Sequence, residues 1–238
     1  MPARRSLDRY AVAAPIYDAA TALWSGGAIW RTRARALEHV APGTRVLVPG
    51  AGTGRLAVEA ARRGGHVVAL EPSPAMRRRA QRRMRRVLAG EPTGRSQAAK
   101  GSLTILDRRL DELAREQRYD LVVAEHFLNV FARANMVSVR KRLIELVRPR
   151  GALVVADFTP LDPGAPGLMR WAQSAHHWIP LGGCALLTAN ALHPIYDHGS
   201  ELEEHRELCL EACVDEPSFR IGPRWFRTWT FRKLAEPR

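Results

Sequence analysis

Apolar residues fall in short continuous runs, separated by stretches whose apolar positions recur at helical spacing. Val46-Leu47-Val48, Val67 to Leu70, Leu103 to Leu106, Tyr119 to Phe127 and Ala152 to Phe158 each read as a strand buried on both faces, where no polar alternation is needed. Between the second and third runs, Ser73 can cap a helix and Pro74 suits its first turn, with Met76, Ala80, Met84, Val87 and Leu88 as its buried stripe. A helix over 134–147 turns Met136, Val139, Leu143, Ile144 and Val147 inward, and the turn RPRG leads to the fifth strand. Strands alternating with helices predict an α/β chain with parallel crossovers. Residues 6–40 read as helices ahead of the first strand, broken at Ser25-Gly26-Gly27, with Leu7, Tyr10, Ala14, Ile16, Tyr17, Ala20 and Leu23 on an irregular apolar face. Residues 89–102 lack periodicity and read as an exposed loop. After 200, a helix over 201–213 is expected, then an antiparallel hairpin of SFRIGPRWF and RTWTFRK around Gly222-Pro223.

The chemistry concentrates in residues 45–71, RVLVPGAGTGRLAVEAARRGGHVVALE. A strand ends at Gly50, Gly52 and Gly54, a helix follows, and a second strand ends on Glu71. Glycines let the backbone turn sharply and approach a ligand at the positive end of the helix. Glu71 is placed to accept from both hydroxyls of a ribose. A dinucleotide fingerprint would need glycine or alanine at position 55, where Arg55 stands.

GAGTG followed some twenty residues on by an acid resembles motif I of the class I S-adenosylmethionine-dependent methyltransferases. The strand–helix–LVRPRG–VVADF run extends that resemblance over about residues 44–158, and YAVAAPIYDAA resembles the opening of the ubiquinone/menaquinone and phospholipid methyltransferase group. The resemblance implies a doubly wound, mostly parallel seven-stranded sheet of Rossmann-like type ending in a C-terminal antiparallel hairpin. It implies that Gly50, Ala51, Gly52 and Gly54 cradle the methionine and ribose portion of S-adenosylmethionine, that Glu71, followed by Pro72, holds the ribose diol, and that Glu125 lines the methionine side. For adenine it implies Asp107 and Arg108, with Asp111 as the alternative acid, since LDRRLDEL allows either register. Val48 stands where the family commonly has an acid for the donor's ammonium. The wording VLVPGAGTGRLA resembles the carnosine N-methyltransferase type, and thiopurine-type enzymes carry a VxP form, so Val48 need not abolish binding.

On the acceptor side, the carboxyl end of the fourth strand offers Glu125, His126 and Asn129, where ligands of open α/β sheets sit. His126 is a candidate base, His193 a second, and Tyr17 a candidate pocket residue, each weighed against a plain structural role. The segment 159–199, rich in histidine and aromatic residues, is either the part that selects the acceptor or a helical cover for the sheet edge. HPIYD gathers a base, a phenol and a carboxylate in five residues. The expected organisation is a helical lid over 1–43, a donor-binding core over 44–158, the insertion 159–199, and a helix and hairpin over 200–238 completing one domain.

Composition bounds the rest. The 238 residues carry 37 Lys and Arg against 24 Asp and Glu, a formal charge of +13. Only Lys100, Lys141 and Lys233 are lysines, so the arginine excess looks like a genome-wide bias rather than a nucleic-acid signature. The charge still permits an RNA substrate or an anionic membrane surface. No NPPY-like motif supports RNA, and a silent S-adenosylmethionine-binding regulator is the other alternative. Three cysteines, Cys184, Cys209 and Cys213, form no CxxC pair and fit a reducing cytoplasm. His205, Cys209 and Cys213 would share one face of a helix, a spacing explained by burial as readily as by a metal, and none is expected. No apolar run approaches the roughly 20 residues of a membrane span, and the first residues lack a signal-peptide core. The expected acceptor is a small or lipid-like molecule; oligomeric state is unreadable from the sequence.

Overall fold

A computed structural model describes residues 8, 10–88, 101–188 and 195–235. Seven strands form one sheet in the order β3-β2-β1-β4-β5-β7-β6. The strands are β1 (Arg45–Pro49), β2 (His66–Leu70), β3 (Ser102–Leu106), β4 (Tyr119–Glu125), β5 (Val147–Phe158), β6 (Leu208–Glu216) and β7 (Phe226–Lys233). β1 to β5 pair in parallel, while β7 runs antiparallel to both β5 and β6. The doubly wound, mostly parallel sheet expected from the strand–helix alternation is therefore present.

The continuous apolar runs are explained by cover on both faces. Val46 and Val48 of β1, with Leu121 and Val123 of β4, pack on α3 (Arg55–Arg62) and on Ala36 and Leu37 of a 3-10 turn. Leu47, Val122, Leu153 and Phe231 point the other way, onto Met136, Leu143 and Ile144 of α5 (Arg133–Leu146). Alternate residues thus enter opposite cores, as the two-residue period of a strand requires.

Ahead of the sheet lie α1 (Tyr17–Ser25) and α2 (Ala28–Ala34), separated at Gly26 and Gly27, whose φ angles are 57° and 79°. α2 and the 3-10 turn that follows it are fastened to the far strand by ions: Arg31 Nε lies 3.2 Å from Glu216 Oε2, and Arg35 Nε, in the turn, donates to Glu216 Oε1 at 2.9 Å. α4 (Pro74–Leu88) follows β2, and its start is held as expected, Ser73 Oγ accepting from Met76 N at 3.2 Å. Asp8 adds a bond absent from the sequence reading, accepting from Ala75 N at 2.6 Å.

Three expectations are corrected. The helix foreseen over 201–213 is a short α7 (His198–Glu203) followed by β6, so Cys209 and Cys213 lie on a strand and share no helical face with His205. The acidic run ELEEHRE imitates helix, but Leu208 and Leu210 are needed against the core, and β7 offers β6 its backbone donors and acceptors. The hairpin accordingly joins β6 to β7. Its connection holds a 3-10 turn at Ser218–Arg220 where a strand was expected, with Phe219 and Arg220 at φ 51° and 68°. Finally, the RPRG turn is absorbed into β5 as an irregularity, the register with β4 shifting between Tyr119 and Leu121 and Arg150 taking φ 62°. The expected loop 89–102 lies mostly outside the described residues.

Phe231 is fully buried where β7 meets α5. Phe231→Ala should cost about 3–5 kcal/mol, read as a lowered denaturant midpoint with an unchanged slope.

Candidate functional site

The carboxyl ends of β1, β2 and β4 open into a cleft of about 1720 Å³, roofed by the N-terminal segment. Its floor is the glycine turn, where Gly50, Gly52 and Gly54 have φ of 63°, 56° and 74°. Each tolerates this geometry because it lacks a Cβ, but two of them do different work. A Cβ on Gly54 would stand 2.7 Å from Ala80 Cβ, so this glycine lets α3 and α4 close on each other. A Cβ on Gly52 would meet nothing within 4 Å, so this glycine faces open cleft.

Glu71, 6 % exposed, stitches the turn to the neighbouring strand end. Its Oε2 accepts from Gly52 N at 2.7 Å and its Oε1 from Ser73 N at 2.8 Å. Burial raises its pKa to about 7, although both backbone bonds and Arg77 oppose the shift. Glu125 behaves alike: burial lifts it to about 7 against the pull of Arg33, whose Nε lies 3.4 Å from Glu125 Oε2. Arg33, on α2, is buried and also bonded to Tyr17. The cleft therefore holds a positive and a negative group side by side, next to Pro49 and Gly50.

The roof is latched. Asp18 accepts from Thr53 Oγ1 at 2.7 Å and from Arg83 Nη2 at 2.6 Å, while Arg83 Nη1 donates to Thr53 O at 2.9 Å. Burial would raise the Asp18 carboxyl, but these donors outweigh it and hold the pKa below its ordinary value. Tyr10 and Tyr17 pack on Ala14, Ala75 and Met76 and line the cleft.

The other end of the cleft is aromatic. Trp24, His126 and Phe158 line it. Behind them, His176 of α6 (Gly167–Thr188) stacks on Trp24 at 4.2 Å between centroids, and His177 packs on Phe158 at 4.9 Å. Burial drives His176 to about 4 and His177 to about 3, so both rings are neutral wall material near pH 7.

Of the residues singled out in the sequence, Gly50, Ala51, Gly52, Glu71, Pro72, Arg108, Glu125, His126, Asn129 and Tyr17 all line this one cleft. Gly54 supports it from behind. Asp107 is different: it is largely exposed, accepts from Arg77 Nη2 at 2.8 Å and stays off the cleft wall, whereas Asp111 is on it. His193 lies outside the described residues. Asp197 of the same HPIYD segment caps α7 through Ser200 N at 3.1 Å. The sequence reading missed Arg33, which looks like any other arginine in RTRAR, and the Asp18–Arg83 pair, whose partners are 65 positions apart. It also passed over Trp24, which only the stack with α6 marks out.

A family model described as Methyltransferase domain matches residues 46–151. No curated protein sequence matches the chain. The fold is shared with 1,6-didemethyltoxoflavin-N1-methyltransferase of Burkholderia thailandensis, bound to 1,6-didemethyltoxoflavin and S-adenosylhomocysteine (17 % identity, 98 % of this chain, 93 % of that one, TM-score 0.59). It is also shared with a mycolic acid cyclopropane synthase complexed with S-adenosylhomocysteine and CTAB (15 %, 84 %, 82 %, 0.62). A third is the magnesium protoporphyrin IX methyltransferase of Synechocystis PCC 6803 with bound S-adenosylhomocysteine (19 %, 81 %, 75 %, 0.54). These likenesses establish the fold, and the domain match covers residues 46–151 of the 238.

The two glycines should separate on substitution. Gly54→Ala should cost about 2–3 kcal/mol, from backbone strain plus the clash with Ala80, and Gly52→Ala only the left-handed penalty of about 1 kcal/mol. Thermal unfolding of the two variants would measure the difference.

Proposed function

We propose that the protein is an S-adenosylmethionine-dependent methyltransferase and that it modifies a small-molecule or lipid-like acceptor held at the aromatic end of the cleft. The observation that carries the proposal is the division of one cleft into a polar end, built on the glycine turn and Glu71, and an apolar end walled by Trp24 and Phe158. When bound, S-adenosylmethionine supplies an electrophilic methyl on a sulfonium sulfur.

The residues present suit that donor. Open space above Gly52 admits a ligand against the backbone, and the Glu71 carboxylate keeps lone pairs for ribose hydroxyls beyond those used by Gly52 and Ser73. Arg33 and Glu125 together match an amino-acid end, the guanidinium facing its carboxylate and Glu125 its ammonium. Glu125 can thus take the role that the acid absent at Val48 has in the resembled family. Val48 itself is fully buried among Val46, Ala57 and Val123, where an acid would sit in an apolar core. Arg108 and Asp111 stand where the adenine would lie. The segment before β1 acts as lid, latched through Asp18 to Thr53 of the glycine turn. Within the insertion, α6 backs the aromatic wall that would hold the acceptor. Catalysis then consists largely of holding acceptor and methyl in line in a pocket that excludes water. Tyr17, bonded to Arg33 within the lid, and His126 are the described acceptor-side residues; His193 is proposed from the sequence alone.

A lipid-like acceptor is favoured by one further observation. Leu168, Trp171 and Trp178 of α6 are exposed, with Leu23 exposed on α1, the helix whose Trp24 α6 packs against. Exposed tryptophans beside apolar side chains suit a bilayer surface, and the basic net charge would draw an anionic one.

Two outcomes are expected. Ribose hydroxyls and an ammonium favour ionised Glu71 and Glu125, so S-adenosylhomocysteine should bind roughly tenfold tighter at pH 8 than at pH 6, the gain spanning the carboxyl pKa values of about 7. Calorimetry at the two pH values measures this; Glu71→Gln should reduce the pH dependence to the part that Glu125 sets, and no binding at either pH would remove the donor assignment. Labelled S-adenosylmethionine incubated with fractionated cell extract should leave its methyl in small-molecule or lipid fractions, and label confined to RNA would overturn the acceptor class.

A further inference from the structure

We propose that Asp157 is a positioning residue that fixes the His126 imidazole in its Nδ1–H tautomer, leaving the Nε2 lone pair to take a proton from a hydroxyl acceptor. Resting on the methyltransferase reading above, this narrows the acceptor to a phenol or alcohol.

His126 directly follows β4 and has φ 47°, a conformation that costs a residue with a side chain about 1–3 kcal/mol. Its N–H, donating to Ala156 O at 2.7 Å, holds the turn in place. The ring is thereby set on the cleft wall, edge-on to Phe158 at 5.2 Å and to Phe226 at 6.4 Å. Its two nitrogens have different surroundings. Nδ1 stands 3.7 Å from Asp157 Oδ1, whereas Nε2, although buried, has no hydrogen-bond partner among the described residues.

Asp157 is itself immobilised on β5, at 2 % exposure. Its Oδ1 accepts from Phe158 N at 2.8 Å and from Asn129 Nδ2 at 3.1 Å, and its Oδ2 lies 3.8 Å from His198 Nε2. A carboxylate fixed in this way sets the tautomer electrostatically. With the proton on Nδ1 the N–H dipole points toward negative charge; with the proton on Nε2 a lone pair would face a carboxylate. At 3.7 Å the contact is longer than a hydrogen bond, as is common for catalytic pairs before the acceptor is in place. Burial, helped by Arg33, holds the His126 pKa well below 6.5, so the ring is neutral near pH 7 and has one lone pair to offer.

The step balances without a further reagent. The acceptor oxygen forms its bond to the methyl carbon as the carbon–sulfur bond breaks, the bonding pair stays on sulfur, and the hydroxyl proton passes to His126 Nε2. A neutral amine or thioether would have no use for that lone pair during bond formation.

The test is spectroscopic. In protein labelled with ¹⁵N-histidine and saturated with S-adenosylhomocysteine at pH 7, long-range correlations should show His126 protonated at Nδ1 and bare at Nε2. Asp157→Asn, which can turn an amide donor toward Nδ1, should shift the ring to the Nε2–H form while S-adenosylhomocysteine affinity stays within about twofold. An Nε2–H tautomer in the unaltered protein, or an unchanged Nδ1–H tautomer in Asp157→Asn, overturns the proposal. If the variant does not fold, the tautomer of the unaltered protein decides. In extract fractions, His126→Gln should lower methyl incorporation about 100-fold or more, with the label of the unaltered protein on oxygen. Undiminished transfer, or label on nitrogen or sulfur, overturns the base role. Loss of S-adenosylhomocysteine binding by the unaltered protein would remove the methyltransferase reading instead, so the two failures are distinguishable.

Discussion

One buried carboxylate holds the polar end of the cleft together. Glu71 joins the amide of Gly52 to that of Ser73, and so binds the turn after β1 to the start of α4. Its burial is expensive, as the pKa near 7 records, and the two backbone donors offset only part of that cost. The glycine turn cannot relax into the cleft while that bridge holds. Every other feature of the polar end, from the lid contact at Thr53 to the Arg33–Glu125 pair, is built around a loop fixed in this way.

Part of the arginine content is structural. Arg31 and Arg35 hold Glu216, Arg83 holds Asp18, Arg77 holds Asp107, Arg148 holds Asp120, Arg227 holds Asp215 and Arg232 holds Glu211. Several of these pairs are half-buried and tie elements far apart in sequence, where a planar guanidinium can serve two acceptors. Arg77 and Arg83 belong to the arginine-rich α4, outside the buried stripe expected for that helix. Both turn back onto the cleft and its lid. Charge counting could not reveal this, because pairing depends on which helix lies above which loop.

Legibility followed the range of the forces involved. Strands β1 to β5 and the glycine turn could be read because apolar runs, glycines and strand-end acids act within a few residues of each other. The C-terminal region misled because β6 is a strand only through its pairing with β7; the local sequence ELEEHRELCLEACV carries a helical pattern as well. Glu71 and His126 were found from their places at strand ends. Arg33 and Asp157 were not, since the first is distinguished only by burial and the second only by the company of His126, Asn129 and Phe158. Asp107 was preferred for adenine because it directly ends its strand, yet an arginine six residues after Glu71 reaches across and takes it.

Because β7 lies between β5 and β6, the strand that comes earlier in the chain cannot join the sheet until the later one has inserted. Glu216, which anchors α2 and the turn after it through Arg31 and Arg35, stands at the end of β6. As the chain leaves the ribosome, the parallel strands β1 to β5 can associate first. The N-terminal roof loses a main anchor until β7 is in place. The lid of the cleft thus precedes the whole sheet in the chain yet is among the last segments to be secured, which sets a checkpoint at assembly: the glycine turn can form long before the pocket closes.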